Sequence, residues 1–126
     1  MSEQVQVIPV DVYNMYVGVF TDDKSRVATL RSEGCDAEEW NDAAFASTHR
    51  DETPDGHPRF SFVIKPEATR ATWAHECSHM ADFFCETLGL PISIEATEVR
   101  AYLVGHFMAG LEEILNDAKE GQSDGA

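Results

Sequence analysis

Hydrophobic positions form short extended runs in the first half of the chain and long helical patterns in the second. Residues 5–20 are rich in Val, Tyr and Phe, which predicts extended structure with Pro9 at an interruption or a sheet edge. Residues 26–30, RVATL, predict another short strand. Residues 36–49 predict a helix because Asp36 can cap it and a glutamate follows three residues later.

The middle of the chain contains a polar loop and a clear strand pattern. Residues 50–58, RDETPDGHP, combine polar side chains with Pro and Gly, which predicts a loop. Residues 59–66, RFSFVIKP, alternate between apolar and polar side chains. This alternation is typical of a strand with one buried face, here formed by Phe60, Phe62 and Ile64.

Two long helices are predicted in the last third of the chain. The first extends from about 67 to 88, and Gly89 is suited to its C-terminal end. The second extends over roughly 94–117, with Ser93 as its N-cap. The order of elements predicts an α+β fold, in which a small and mostly antiparallel sheet packs on both helices.

Length and composition predict a single domain without a membrane segment. The chain has 126 residues and a net charge of −14; we expect one domain over 1–117 and a disordered acidic tail over 118–126. The negative charge argues against nucleic-acid binding, since phosphates need cationic partners. No run reaches the roughly 18 apolar residues of a membrane span. Three cysteines without a signal peptide predict free thiols and a cytoplasmic protein.

The strongest chemical signal is the sequence HECSH, residues 75–79, within the first long helix. Residues four apart in a helix lie about 40° apart and one turn along it, so His75 and His79 can bind one cation. Glu76 lies one residue further around the helix. There it can take a proton from a metal-activated water and pass it to a leaving group. The pattern therefore predicts one bound zinc ion with Glu76 as the general base.

A catalytic zinc site usually has three protein ligands, so a third is expected from the last helix. Glu95 and Glu98 are the candidates. Glu98 is favoured because it lies a turn inside the helix, beside the small residues Ala101 and Gly105. Glu95 lies in the first turn, where a carboxylate also stabilises the helix dipole.

Three other residues are weaker candidates for supporting roles. Asp82 can accept a hydrogen bond from the ring of His79, or it can be a solvated helix residue. Tyr102 can donate to a developing oxyanion, and His106 can stabilise a transition state. Both are also compatible with packing or surface roles.

The sequences HECSH and EVRAY resemble the gluzincin branch of the zincin metallopeptidases. The likeness covers about residues 56–115 and is closest to minimal zincin-like proteins encoded by bacteriophages, with TWAHECSHMADF, LGLP and a final helix containing Ala-Tyr. It implies that His75, His79 and Glu98 bind zinc and that Glu76 is the general base and acid. The strand at residues 59–66 is also similar to the strand that precedes the active-site helix in zincins. The edge of that strand often holds the peptide substrate.

Two functions are compatible with these features. The first is a zinc-dependent metallopeptidase that acts on a protein or peptide inside the cell. The second is a non-catalytic, zinc-stabilised binding protein, such as a phage inhibitor of a host factor. Its support is the small size and the strong acidity of the chain. Hydrolysis that depends on Glu76 distinguishes the first from the second.

Overall fold

The computed structural model describes residues 5–40, 44–90 and 93–124, without the side chains of 94, 95 and 117–124. It contains four strands and three α-helices, which confirms the α+β class. In chain order these are β1 (Gln6–Val10), β2 (Met15–Phe20), α1 (Asp23–Ser32), β3 (Ala46–Glu52), β4 (Pro58–Ile64), α2 (Arg70–Thr87) and α3 (Ile94–Asp124).

The four strands form one sheet in the order β1-β2-β4-β3. β1 pairs with β2 and β3 pairs with β4 in antiparallel fashion, whereas β2 and β4 are parallel. The sheet is therefore mixed, with two of its three pairings antiparallel. Pro9 lies in β1 at one edge, where its missing N–H removes no necessary ladder bond.

The main core lies between one face of the sheet and helices α2 and α3. Alternate strand residues reach this face, including Phe60, Phe62 and Ile64 of β4, as their spacing predicts. Phe84 of α2 and Phe107 of α3 meet Phe60 and Phe62 there. The two long helices thus lie on the same side of the sheet. Helix α1 covers part of the opposite face.

Helix α1 replaces the strand predicted from RVATL. Asp22 caps it by accepting a hydrogen bond from the backbone N–H of Ser25 at 2.7 Å. Val27 and Leu30, three residues apart, pack with Cys35 and Ala37 in a second small core. The hydrophobic pattern of this segment does not reveal the helix, because one of the residues on its buried face is the charged Arg26.

The helix predicted over 36–49 is also wrong. Residues 35–40 have no regular structure, 41–43 lie outside the described residues, and 46–52 form β3. A turn with Gly56 at φ 86° joins β3 to β4, and the N–H of Gly56 donates to the carbonyl of Thr53. Six of the seven residues of β3 are polar or charged, and its pairing with the apolar β4 makes it a strand.

The two long helices lie where the sequence predicts them. Thr69 caps α2 through the N–H of Thr72, and Gly89 follows its end with φ 68°. The hydroxyl of Ser93 accepts from the N–H of Ala96 at the start of α3. α3 extends to Asp124, beyond the predicted end at 117. The tail prediction for 118–126 falls on residues whose side chains are not described, and it stays a prediction.

A buried ionic network fixes β3 against α1. Arg26 is 2% exposed and pairs with Asp23 at 2.6 Å and with Asp51 of β3 at 3.2 Å. It also donates to the backbone carbonyl of Glu38 at 2.8 Å, while Asp23 accepts from the backbone N–H of Trp40. Burial alone would raise the pKa of Asp23, but its hydrogen bonds from Arg26 and Trp40 lower it. The network therefore holds an ionised carboxylate inside the protein.

His49 of β3 faces the same network and should make stability depend on pH. Burial, followed by the positive charge of Arg26, lowers the pKa of His49 to about 4 from 6.5. The folded protein therefore keeps His49 neutral where the unfolded chain protonates it. Stability should fall as the pH drops from 6.5 to about 4, because protonation of His49 in this range favours the unfolded chain.

Urea unfolding of the wild type and of His49→Gln between pH 7 and pH 4 measures this contribution. Glutamine does not titrate, so the free energy of unfolding of the variant should fall less steeply with decreasing pH. Carboxylates distant from residue 49 affect both proteins alike, whereas Asp23 is coupled to His49 and its titration belongs to the measured difference. Parallel pH curves for the two proteins would contradict the neutral state of the half-buried His49.

Candidate metal centre

Helix α2 divides its side chains among the core, the edge strand and the solvent. Trp73, Cys77, Met80 and Phe84 are buried against the sheet. His75 and His79 are exposed on the other side of the helix. Glu76 lies between these two faces and points toward β3. The motif is therefore at the surface, at the seam between α2 and the edge strand.

His75 and His79 converge as their spacing predicts. Their Nε2 atoms are 3.1 Å apart, and the ring planes meet at 83°. Two imidazole nitrogens on one tetrahedral zinc ion, each at about 2.0–2.1 Å, lie about 3.3 Å apart. The pair therefore matches the separation that a shared ion requires. Without an ion, the Nε2–H of one ring donates to the bare Nε2 of the other, so the two neutral rings adopt different tautomers.

Glu76 is the buried member of the motif. Only 8% of the residue is exposed, and its Oε1 accepts a hydrogen bond from the hydroxyl of Thr48 at 2.6 Å. Thr48 lies in β3, and its hydroxyl is also 3.2 Å from the backbone carbonyl of Glu76. A carboxylate held at this seam can reach a molecule that lies between the helix and the strand.

The two histidines fit a divalent ion, but the described residues do not complete a three-ligand set. None of the described His, Cys, Asp and Glu side chains joins them in a group of three suited to a metal. Glu98 is exposed, and it is nine residues before the buried Phe107, which places it about 180° away around α3. The side chain of Glu95 is not described. Glu98 as third ligand stays a prediction.

Asp82 joins the two long helices through Arg100, and among the described residues no hydrogen bond links it to His79. Its Oδ1 accepts from Arg100 Nε of α3 at 2.7 Å. Arg100 also donates to the hydroxyl and the backbone carbonyl of Ser78. The hydrogen bond with Asp82, together with the charge of that carboxylate, raises the pKa of Arg100, so Arg100 stays charged. The pair fixes α3 beside the motif.

Tyr102 and His106 lie on a different side of α3. His106 Nε2 forms a 2.6 Å hydrogen bond with the backbone carbonyl of Pro9 in β1, and the ring of Tyr102 stacks on it with centroids 5.8 Å apart. Tyr102 lies about 160° around the helix from Arg100, which faces α2. The structure therefore does not bring Tyr102 and His106 together with the histidine pair.

Cys77 lies inside the motif but is not an available ligand. It is fully buried, and burial raises the pKa of its thiol to about 12. Zinc binds the thiolate form. Cys35, Cys77 and Cys85 are all free thiols, as the odd count predicts.

Sequence reasoning missed Thr48 and Arg100. Thr48 was placed in a helix that does not exist, and β3 has no apolar alternation that would reveal it. Arg100 has a weak signal, because it is a cation in a segment that must pack against a helix carrying Asp82. Thr48 contacts the motif residue Glu76, and Arg100 contacts Ser78, which precedes His79.

Comparisons with known proteins found no match among protein-family models, curated proteins or solved structures. In the part of the chain that the structure describes, no helix has the length and apolar character needed to cross a membrane.

Proposed function

We propose that the chain is a zinc-dependent metallopeptidase in which His75 and His79 hold one ion and Glu76 is the general base and acid. The observation that carries this proposal is the 3.1 Å approach of the two histidine Nε2 atoms. It occurs next to a buried carboxylate on the same helix. The two exposed rings leave room for an ion, water and substrate.

In the proposed hydrolysis, the metal ion and the side chains of the protein have different roles. A bound zinc ion supplies Lewis acidity, which lowers the pKa of a bound water to about 7 and polarises a carbonyl. Glu76 accepts a proton from the attacking water and delivers it to the departing amine. His75 and His79 hold the ion, and the seam between α2 and β3 limits the access of water to Glu76.

Peptide is the proposed substrate because an edge strand borders the site. β4 is paired on both sides, so the strand edge next to α2 belongs to β3, not to the predicted strand 59–66. An extended peptide can add to an exposed strand edge through backbone hydrogen bonds. A peptide on β3 would lie close to Thr48 and Glu76.

We also propose a cytoplasmic site of action, which three free thiols support. Zinc is the proposed ion because two imidazoles suit it well and because the motif is typical of zinc sites. Other divalent ions accept the same ligands. Elemental analysis of the purified protein identifies the native ion.

Removing either histidine should abolish most zinc binding. Changes to residues that only support metal ligands typically cost about 10–100-fold in affinity. We therefore expect His75→Gln and His79→Gln each to reduce zinc affinity by more than about 100-fold, measured by calorimetric titration of the metal-free protein. Peptide hydrolysis should disappear in both variants and in wild type treated with a chelator.

His57→Gln is the matched control, since His57 is exposed in the turn between β3 and β4. It should bind zinc as the wild type does. Glu98→Gln tests the third ligand in the same titration: a loss like that of the histidine variants places Glu98 on the ion, and an unchanged affinity removes it from the set. Equal affinities for wild type and both histidine variants would show that the ion site is wrongly assigned.

A further inference from the structure

The hydroxyl of Thr48 donates a short hydrogen bond to the carboxylate of Glu76. Its single proton can go to Oε1 at 2.6 Å or to the backbone carbonyl at 3.2 Å. Hydrogen bonds to a charged acceptor are shorter and stronger than those to a neutral one. The proton therefore goes to the carboxylate, which has little contact with bulk water.

β3 presents this hydroxyl from a firmly held position. The strand pairs with β4 along its whole length, and Thr48 lies opposite Phe62 of the main core. Asp51 of β3 is tied to Arg26 on the other face of the sheet. A donor on a paired strand is more accurately placed than one on a loop.

From these contacts we infer that Thr48 is a positioning residue for Glu76. It holds the carboxylate at the seam between α2 and β3, on the side where a peptide would pair with the strand edge. Glutamate has three rotatable side-chain bonds, so a carboxylate without this donor can adopt other rotamers. The consequence for hydrolysis rests on the proposed function, whereas the contact itself does not.

The contact can be tested in the metal-free protein without any activity. A hydroxyl proton donated to a buried carboxylate exchanges slowly enough with water to give its own NMR signal. We expect this signal for Thr48 in the wild type and its loss in Glu76→Ala. Thr48 is unchanged in both proteins, so this measurement does not depend on the folding of a Thr48 variant. A Thr48 hydroxyl that exchanges too fast to be seen in the wild type overturns the inference.

The positioning role is tested by kinetics on the zinc-loaded protein. Thr48→Val keeps the shape of the side chain but removes the donor, and it should lower kcat by about 10–100-fold. Zinc affinity should stay near the wild-type value, because the hydroxyl of Thr48 bonds to Glu76 and not to a histidine. KM should also change little, because a peptide would pair with the backbone of β3 and not with this side chain. Thr48→Ser keeps the hydroxyl and should restore most of kcat, which a purely structural role of the methyl group would not allow.

Thr87→Val is the matched control. The hydroxyl of Thr87 also lies between α2 and β3, where it accepts from Arg50 at 3.3 Å, but it does not contact Glu76. Its loss should leave kcat unchanged. If Thr48→Val keeps wild-type kcat, or if Thr48→Ser is as slow as Thr48→Val, the positioning role is wrong. If the wild type hydrolyses no peptide while the NMR signal is present, the proposed function fails and the Thr48–Glu76 contact stands.

Discussion

Replacing Glu76 with glutamine should reduce peptide hydrolysis by about 10²–10⁴-fold, the range that a general acid–base group supplies. Glutamine has nearly the same shape, and its amide oxygen can still accept the hydrogen bond that Thr48 donates to Glu76. The substitution therefore removes a proton acceptor and a charge while it preserves the packing of the seam. Measurements of kcat/KM on a peptide library, with zinc affinity determined separately, record the effect.

Zinc affinity should be nearly unchanged in Glu76→Gln, since both histidines remain. Glu86→Gln is a suitable control, because Glu86 is exposed in the last turn of the same helix. It should hydrolyse peptides at the wild-type rate. Unchanged hydrolysis in Glu76→Gln would exclude Glu76 as the base. A protein that cuts no peptide, but forms a stable complex with a partner that survives the substitution, would instead support the non-catalytic interpretation.

The approach of the two motif histidines could be predicted from the sequence, because the helical repeat alone determines it. Residues four apart on one helix face the same way, and His75 and His79 do so here. The strand containing Phe60 and Phe62 and the two long helices follow from equally regular patterns. These predictions needed no knowledge of how distant segments meet.

The surroundings of the site depend on contacts between distant segments, which the sequence pattern does not encode. Apart from Ala46 at its start, β3 is polar on both faces, and it is a strand because it pairs with β4. Although the Pro-Asp-Gly sequence at 54–56 signals a turn between two strands, the preceding residues have no β pattern to confirm it. The hydrogen bond between Thr48 and Glu76 could therefore not be predicted from the sequence. The orientation of Glu98 likewise depends on how α3 rotates against the core.

Helix α1 was missed for a related reason. Its buried face contains Val27 and Leu30 but also Asp23 and Arg26, so its apolar period is incomplete. In a hydrophobicity pattern, charged residues count as exposed positions, even when they form a buried ion pair as Asp23 and Arg26 do. The residues that hide this helix in the sequence are the ones that tie it to β3.

Replacing Arg26 with methionine should destabilise the protein by about 3–5 kcal/mol, the usual cost of removing one partner from a buried ion pair. Methionine fills similar space but leaves Asp23 and Asp51 without their cation in a poorly solvated site. It also removes the donor to the carbonyl of Glu38, which connects α1 to residues 35–40. Thermal unfolding should shift downward by roughly 10–20 °C for a domain of this size.

Arg70→Met makes the same substitution in an exposed pair and serves as the control. Arg70 lies 3.0 Å from Glu112, but both side chains are largely in water, where such pairs contribute only about 0–1 kcal/mol. Adding Asp23→Asn and Asp51→Asn to Arg26→Met should recover part of the lost stability, because it removes the unpaired negative charges. If Arg26→Met unfolds at the same temperature as Arg70→Met, the network does not hold α1 to β3. Because β3 also carries Thr48, loosening this network should increase the exchange of the Thr48 hydroxyl proton before the protein unfolds.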